Sequence, residues 1–254
     1  LTSVIPKELL PINGKPGIEH IIEECLAAGV KEIIFIISKK KRIIQKYFYN
    51  DSFYEKIIKE KKDKRIKFEY QKIKKYRKII KFVYQNSPRG TGDAVLKCKR
   101  LIKSDFFLML LPDDLIINNN CSNEMIKIHN KKGSSVIASK KVNKKDVSRW
   151  GIFKVKKINS RSFLIKDVVE KPSINTAPSN YSVIGRYILP KKIFQILQKQ
   201  KPGKNGELHI TDAIRSLILK DNVFLGHIFS GKYLDCGSMN GYINSTIEIS
   251  KKNL

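Results

Sequence analysis

Three short apolar runs, residues 31–38 (KEIIFIIS), 78–85 (KIIKFVYQ) and 106–114 (FFLMLLPDD), are separated by stretches whose apolar residues recur at helical spacing. Runs of this length rich in Ile, Val and Phe are too short for core helices and read as buried strands. Strands that alternate with helices are laid side by side by crossover connections, which predicts a mostly parallel sheet covered on both faces. Residues 17–29 (GIEHIIEECLAAG) form the first helix, with a glycine as its stop. Further helices are expected over 40–48, 52–62, 92–101 and 121–130, and a strand over 134–139. Beyond Trp150 the pattern changes. Strands at 151–155, 163–169 and 181–189 precede helices at 191–198 and 210–220, a strand at 223–229 and a last helix from Met239. No repeat and no long linker divides the chain, so one domain over 1–254 is expected, with halves 1–149 and 150–254.

At 254 residues and 41% hydrophobic content the chain can bury one large α/β core. No apolar run approaches the roughly 20 residues that cross a bilayer, and residues 1–10 do not have the pattern of a secretory signal. Cys25, Cys98, Cys121 and Cys236 show neither metal-site spacing nor pairing, which predicts reduced thiols and a cytoplasmic location. The net charge of +28 raises the question of nucleic acid. The excess is dominated by lysine spread along the chain together with Ile and Asn, as an AT-rich coding sequence produces. Phosphate-tracking and base-reading surfaces instead gather arginine and aromatic residues. Neither a nucleic-acid nor a membrane partner is expected, whereas a small, multiply anionic ligand would benefit from the positive field.

Five segments carry candidate chemistry. In 168–189 (VVEKPSINTAPSNYSVIGRYIL) an apolar run stops at Glu170-Lys171-Pro172, because proline removes a ladder donor. A strand end of an open α/β sheet is where ligands sit. A carboxylate beside an ammonium suits a ligand with hydroxyls at one end and a phosphate at the other. Gly185, inside the following strand, would let a ligand approach the backbone. In 84–96 (YQNSPRGTGDAVL) a strand gives way to a glycine turn and a helix, exposing N–H groups. Gln85 there offers a donor and an acceptor, as a pyrimidine edge requires. In 110–114 (LLPDD) Asp113 and Asp114 end a strand, and Asp235 precedes a glycine turn in 233–242 (YLDCGSMNGY). Two such aspartates could share a magnesium ion with phosphate oxygens and water. In 4–16 (VIPKELLPINGKP) prolines on both sides stiffen the loop that carries Lys7 and Glu8.

In order and together these pieces resemble the bacterial UTP–glucose-1-phosphate uridylyltransferases of the sugar-nucleotidyltransferase superfamily. The resemblance spans essentially the whole chain; "PKELLPI", "VVEKP…APSN…IGRYIL", "GELHITDAI" and "DCGSMNGY" are its most specific parts. It implies a Rossmann-like three-layer α/β/α fold with a nucleotide-binding half (1–149) and a sugar-phosphate-binding half (150–254). It also implies a transfer of uridylyl from UTP to glucose 1-phosphate, giving UDP-glucose and pyrophosphate with Mg2+. Gln85 and the Gly90 backbone would read uracil. Lys7, with Glu8 beside it, would face the nucleotide phosphates. Asp113 and Asp235 would hold the metal. Glu170 would accept from glucose hydroxyls over Gly151 and Gly185, and Lys171 would hold the sugar phosphate.

By the same analogy the protein would be a homodimer or homotetramer. The lysine-rich insert beginning at residues 50–65 resembles a helical insert of the uridylyltransferases that shorter thymidylyltransferase relatives lack, which favours UTP over dTTP. His209, in "GELHITDAI", is expected to be structural. The match begins at Leu1-Thr2, after the family's first strand and its G-x-G-T-R phosphate loop, and Ser3 stands where the family usually has lysine. The chain is therefore expected to lack that strand and cradle. Two alternatives follow: a non-catalytic nucleotide-sugar-binding remnant, or an enzyme specific for dTTP or N-acetylglucosamine 1-phosphate.

Overall fold

A computed structural model describes residues 4–203 and 206–251. The start of the resemblance at residues 1–3 lies outside them. A short 3-10 turn at Lys7–Leu9 leads into the small hairpin β1 (Pro11–Ile12) and β2 (Lys15–Pro16), then α1 (Gly17–Ala27) and β3 (Ile33–Ile37). Three helices follow, α2 (Arg42–Tyr49), α3 (Asp51–Lys61) and α4 (Lys64–Arg77), before β4 (Ile80–Tyr84), α5 (Thr91–Lys97), β5 (Phe106–Leu110) and β6 (Asp114–Ile117). The middle of the chain is α6 (Cys121–Lys132), β7 (Ser135–Lys141), β8 (Gly151–Lys157), β9 (Ser162–Glu170) and β10 (Tyr181–Pro190). The rest is α7 (Ile193–Lys199), α8 (Ile210–Ile218), β11 (Phe224–Ile228), β12 (Lys232–Asp235) and α9 (Met239–Ser250). Among the described residues no helix is long and apolar enough to cross a membrane.

The layered α/β architecture is as expected, but the balance within the sheet is not. β3–β4 and β7–β11 pair in parallel. The other pairings of the six-stranded sheet, ordered β5-β10-β7-β11-β9-β8, are antiparallel. The second half supplies its strands through a hairpin (β8–β9) and a return strand (β10), and neither needs a crossover helix. The first segment of β10 also meets β8, at Ser182 and Ile152, so the sheet curls back on itself.

Side-chain alternation along the strands builds two main cores. On one face α5, α7 and α8 pack on Phe107, Ile137, Phe153, Phe163 and Leu189. On the other, Cys121 and Met125 of α6 meet Val136, Ala138, Ile184 and Ile188. A third core joins α1 to the outer helices, with Phe35, Ile44, Phe48, Ile73 and Tyr76 buried. The lysine-rich helical insert is clamped by Asp51, whose carboxylate takes both terminal nitrogens of Arg77 at 2.8 and 2.5 Å and the Tyr70 hydroxyl at 2.7 Å.

The expected single strand over 106–114 requires correction. β5 ends at Leu110, and all five of its residues are half-buried rather than buried. Pro112 removes a donor and turns the chain. The aspartates therefore lie beyond the turn, and Asp114 opens β6, a separate antiparallel pair with β12.

Candidate active site

The β6–β12 register sets Asp114 directly opposite Asp235. Asp113 lies one residue before that pair, and its carbonyl accepts the Cys236 N–H at 2.8 Å. This tie brings residues 113 and 235 to one point. A methyl group placed on Gly237 would be 3.0 Å from Asp113 Oδ2 and 3.1 Å from Asp235 Oδ1. The absence of a side chain at Gly237 leaves the space between the two carboxylates open. Asp235 Oδ1 also accepts the Gly237 N–H at 2.8 Å, while its Oδ2 faces the Arg149 guanidinium at 3.6 Å.

Lys7 donates to Asp113 Oδ2 at 2.5 Å. Burial works against the charge on Lys7, but the hydrogen bond and charge of Asp113 outweigh it and hold the ammonium above its ordinary value. Asp114 has a different role. It is buried and accepts from the Gly185 N–H at 2.8 Å and the Tyr233 hydroxyl at 2.6 Å. Burial pushes its carboxyl up, against these two hydrogen bonds.

The Glu-Lys-Pro corner forms the neighbouring wall. Glu170 pairs with Gly151 across β8–β9, and its Oε2 would lie 3.1 Å from a methyl group on Gly151. The same carboxylate accepts from Thr211 at 3.1 Å. Lys171, in the left-handed region (φ 46°), donates its N–H to Trp150 O at 3.0 Å. Its backbone is thus tied to the residue after Arg149, whose guanidinium faces Asp235.

Gln85 and Gly90 come together. Gln85 Nε2 donates to Asp93 Oδ2 at 2.8 Å and to Gly90 O at 3.3 Å, which orients the amide. Gly90 adopts φ 95°, and any Cβ there would lie 2.6 Å from Leu208 O, so glycine is required twice over. Leu208 N–H donates to Arg89 O and Gly92 N–H donates to Leu208 O, both at 2.7 Å, so the "GELHITDAI" segment braces this turn.

Two candidate residues also meet other parts of the chain. Glu8, grouped with the nucleotide side, is committed to Lys41 at 2.7 Å, and its other oxygen is buried without a hydrogen bond among the described residues. Gly185 does leave backbone open, but to the chain itself: a Cβ there would lie 2.5 Å from Asp114 Oδ2 and 2.6 Å from Leu111 Cβ.

Several side chains that shape the site carried no local signal. Arg186 is completely buried. It donates to Glu24 through Nε (3.0 and 3.1 Å) and one terminal nitrogen (2.8 Å), and to the carbonyls of Leu111 (3.1 Å), Gly185 (2.9 Å) and Asp114 (2.6 Å). The 111–114 turn is thereby held from behind. Lys140, half-buried, lies over the rings of Tyr233 (4.1 Å) and Trp150 (5.3 Å). Burial pulls its ammonium down, opposed by Asp114 and Asp235.

The family model "Nucleotidyl transferase" matches residues 1–252. The UTP–glucose-1-phosphate uridylyltransferase of Bacillus subtilis is 34% identical over 252 residues, covering 98% of this chain and 85% of that protein. The UTP–glucose-1-phosphate uridylyltransferase 1 of Staphylococcus saprophyticus is 34% identical over 254 residues, 99% and 87% of the two chains. A crystal structure of UDP-glucose pyrophosphorylase complexed with UDP-glucose superposes with a TM-score of 0.84 at 35% identity, covering 98% of this chain and 92% of that one. With carboxylates, corner and glycine turn set on one such scaffold, the chain belongs to the nucleotidyl transferase family.

Proposed function

We propose that this chain transfers the uridylyl group of UTP to glucose 1-phosphate, releasing pyrophosphate. The observation that carries the proposal is the meeting of Asp113 and Asp235 at Gly237, with Lys7 on the first carboxylate. Relatives named for this reaction match nearly the whole chain at 34% identity.

The donor set fits a magnesium ion: two carboxylates with open space between them, the remaining positions being left to phosphate oxygens and water. Asp113 and Asp235 would hold the ion, which when bound supplies positive charge and a template for phosphate oxygens.

The remaining chemistry rests on the chain's own groups. The phosphate of a sugar monophosphate has a second pKa near ~6, so its attacking oxygen is already ionised at neutral pH and needs no general base. One of its oxygens bonds to the α-phosphorus of UTP as the α–β bridging bond breaks, and the electron pair leaves with pyrophosphate. The barrier is the approach of two anions. Each cation–anion contact near 4 Å is worth on the order of 4 kcal/mol at an effective dielectric of 20, before desolvation. Lys7 supplies one such contact to the nucleotide phosphates and Lys171 another to the sugar phosphate. Glu170, braced by Thr211, accepts from sugar hydroxyls beside Gly151. Gln85, oriented by Asp93, faces the base with the Gly90 backbone. In-line alignment of the reactants contributes within the ~7–11 kcal/mol available to oriented groups. Four buried free cysteines suit a reducing, cytoplasmic setting.

The test is pyrophosphate release by the purified full chain with UTP, glucose 1-phosphate and magnesium. Lys171→Ala should raise KM for glucose 1-phosphate and lower kcat, and Asp113→Asn should abolish magnesium-dependent turnover. Release that does not depend on glucose 1-phosphate, or normal turnover by Asp113→Asn, would overturn the reading.

A further inference from the structure

Both carboxylates assigned to the divalent ion already face a cation of the chain. Lys7 Nζ is 2.5 Å from Asp113 Oδ2, and an Arg149 terminal nitrogen is 3.6 Å from Asp235 Oδ2. Lys140 adds a third positive charge, resting on the Tyr233 and Trp150 rings and interacting with Asp114 and Asp235. Asp114 adds a third carboxylate, buried and already accepting from Gly185 and Tyr233. Three carboxylates thus face three cations, and only Asp113 and Asp235 border the open space. Such a site has no surplus negative charge to draw in a bare divalent ion, and the ion would have to remove Lys7 from an oxygen it needs.

We infer that Lys7 and Arg149 are built-in counter-ions of the two carboxylates, so that a divalent cation is admitted only together with an anionic nucleotide. This rests on the proposed function and adds an order to it. The phosphates draw Lys7 onto their own oxygens, which frees Asp113 and adds the negative charge the site lacks. Linkage then requires cation and nucleotide to strengthen each other's binding by one common factor.

The experiment follows free Mn2+ by electron paramagnetic resonance during titration of the full chain at low salt, with and without UDP-glucose. UDP-glucose should tighten Mn2+ binding by about 5–150-fold, the usual range for coupled sites. In the absence of nucleotide, Lys7→Met and Arg149→Met should each tighten Mn2+ binding by roughly two- to fivefold, the worth of a partly exposed ion pair. Both should also reduce the effect of UDP-glucose. Arg149 has a 61% exposed side chain, so its variant keeps the test available if Lys7→Met fails to fold.

Wild-type chain that binds bare Mn2+ as tightly as it does with UDP-glucose bound, or folded variants with unchanged or weaker Mn2+ binding, would overturn the inference. Calorimetry separates it from the substrate reading. Failure of UDP-glucose to bind while both variants still tighten Mn2+ supports the counter-ions and sinks the substrate. UDP-glucose binding with Mn2+ affinity equal in all variants does the reverse.

Discussion

Replacing Glu24 by alanine tests how the turn that carries Asp113 is held. The Arg186 side chain is 0% exposed and its Glu24 partner 8%, so the variant leaves a guanidinium in the interior without its carboxylate. Three hydrogen bonds of 2.8–3.1 Å between the two side chains disappear. Ser122 also loses an acceptor for its hydroxyl, at 2.5 Å in the intact protein. The three carbonyls that Arg186 also serves can satisfy its N–H groups but not its charge. Breaking a buried ion pair on one side costs about 3–5 kcal/mol. At about 2–4 °C per kcal/mol for a chain of this size, the thermal midpoint should fall by roughly 10 °C.

The assay is equilibrium unfolding in urea, where the midpoint should drop while the slope stays the same. The double variant Glu24→Gln/Arg186→Met removes both charges. It should be less destabilised than the sum of Glu24→Gln and Arg186→Met alone, by about 1 kcal/mol or more. A loss below about 1 kcal/mol for Glu24→Ala, or strict additivity in the cycle, would refute the reasoning that this pair supports the turn.

Two further outcomes are expected. Gly237→Ala puts a methyl group 3.0 and 3.1 Å from the two carboxylate oxygens. Displacing them should raise the magnesium concentration needed for half-maximal turnover by about 10–100-fold, the scale seen when groups that orient metal ligands are changed. A melting curve close to wild type should accompany this, and an unchanged magnesium requirement would count against the shared site. Glu124 is desolvated, but its hydrogen bonds from His227 (2.7 Å) and the Ser230 N–H (3.2 Å) prevail and lower its carboxyl below the usual 4.5. The folded value lies below the unfolded one. The stabilisation is therefore present above pH 4.5 and is lost as the pH falls through the folded value. Urea midpoints measured on either side of 4.5 should show a shallower acid decline in Glu124→Gln than in wild type, and equal declines would remove Glu124 from the acid response.

Most elements were legible because their causes are local; β6 and β12 were not. Ile33–Ile37 and Ile80–Tyr84 are short runs dominated by β-branched and aromatic residues, and the 17–29 segment carries both its period and its glycine stop. Asp113 and Asp235 could be paired as candidates from residue type and neighbouring turns. The turn after Gln85 announced itself through Gly90 and Gly92, and both glycines meet the backbone of Leu208, more than a hundred positions away.

By itself the sequence determined the alternation of helix and strand, the punctuation by Pro172, and which residues could do chemistry; the break at Pro112 it did not. Only the tertiary structure decided which of them stand together. The antiparallel register of β6 on β12 leaves Asp113 beside Asp235 and Lys7 and makes Asp114 a buried anchor, a distinction between adjacent identical residues that no local pattern contains. The same holds for Arg186. An arginine in "IGRYIL" reads as an ordinary strand charge, but a carboxylate 162 positions earlier makes it the core's strut. Hydrophobic period and turn chemistry act over a few residues. Charge burial and strand register depend on partners that folding alone brings within hydrogen-bond reach.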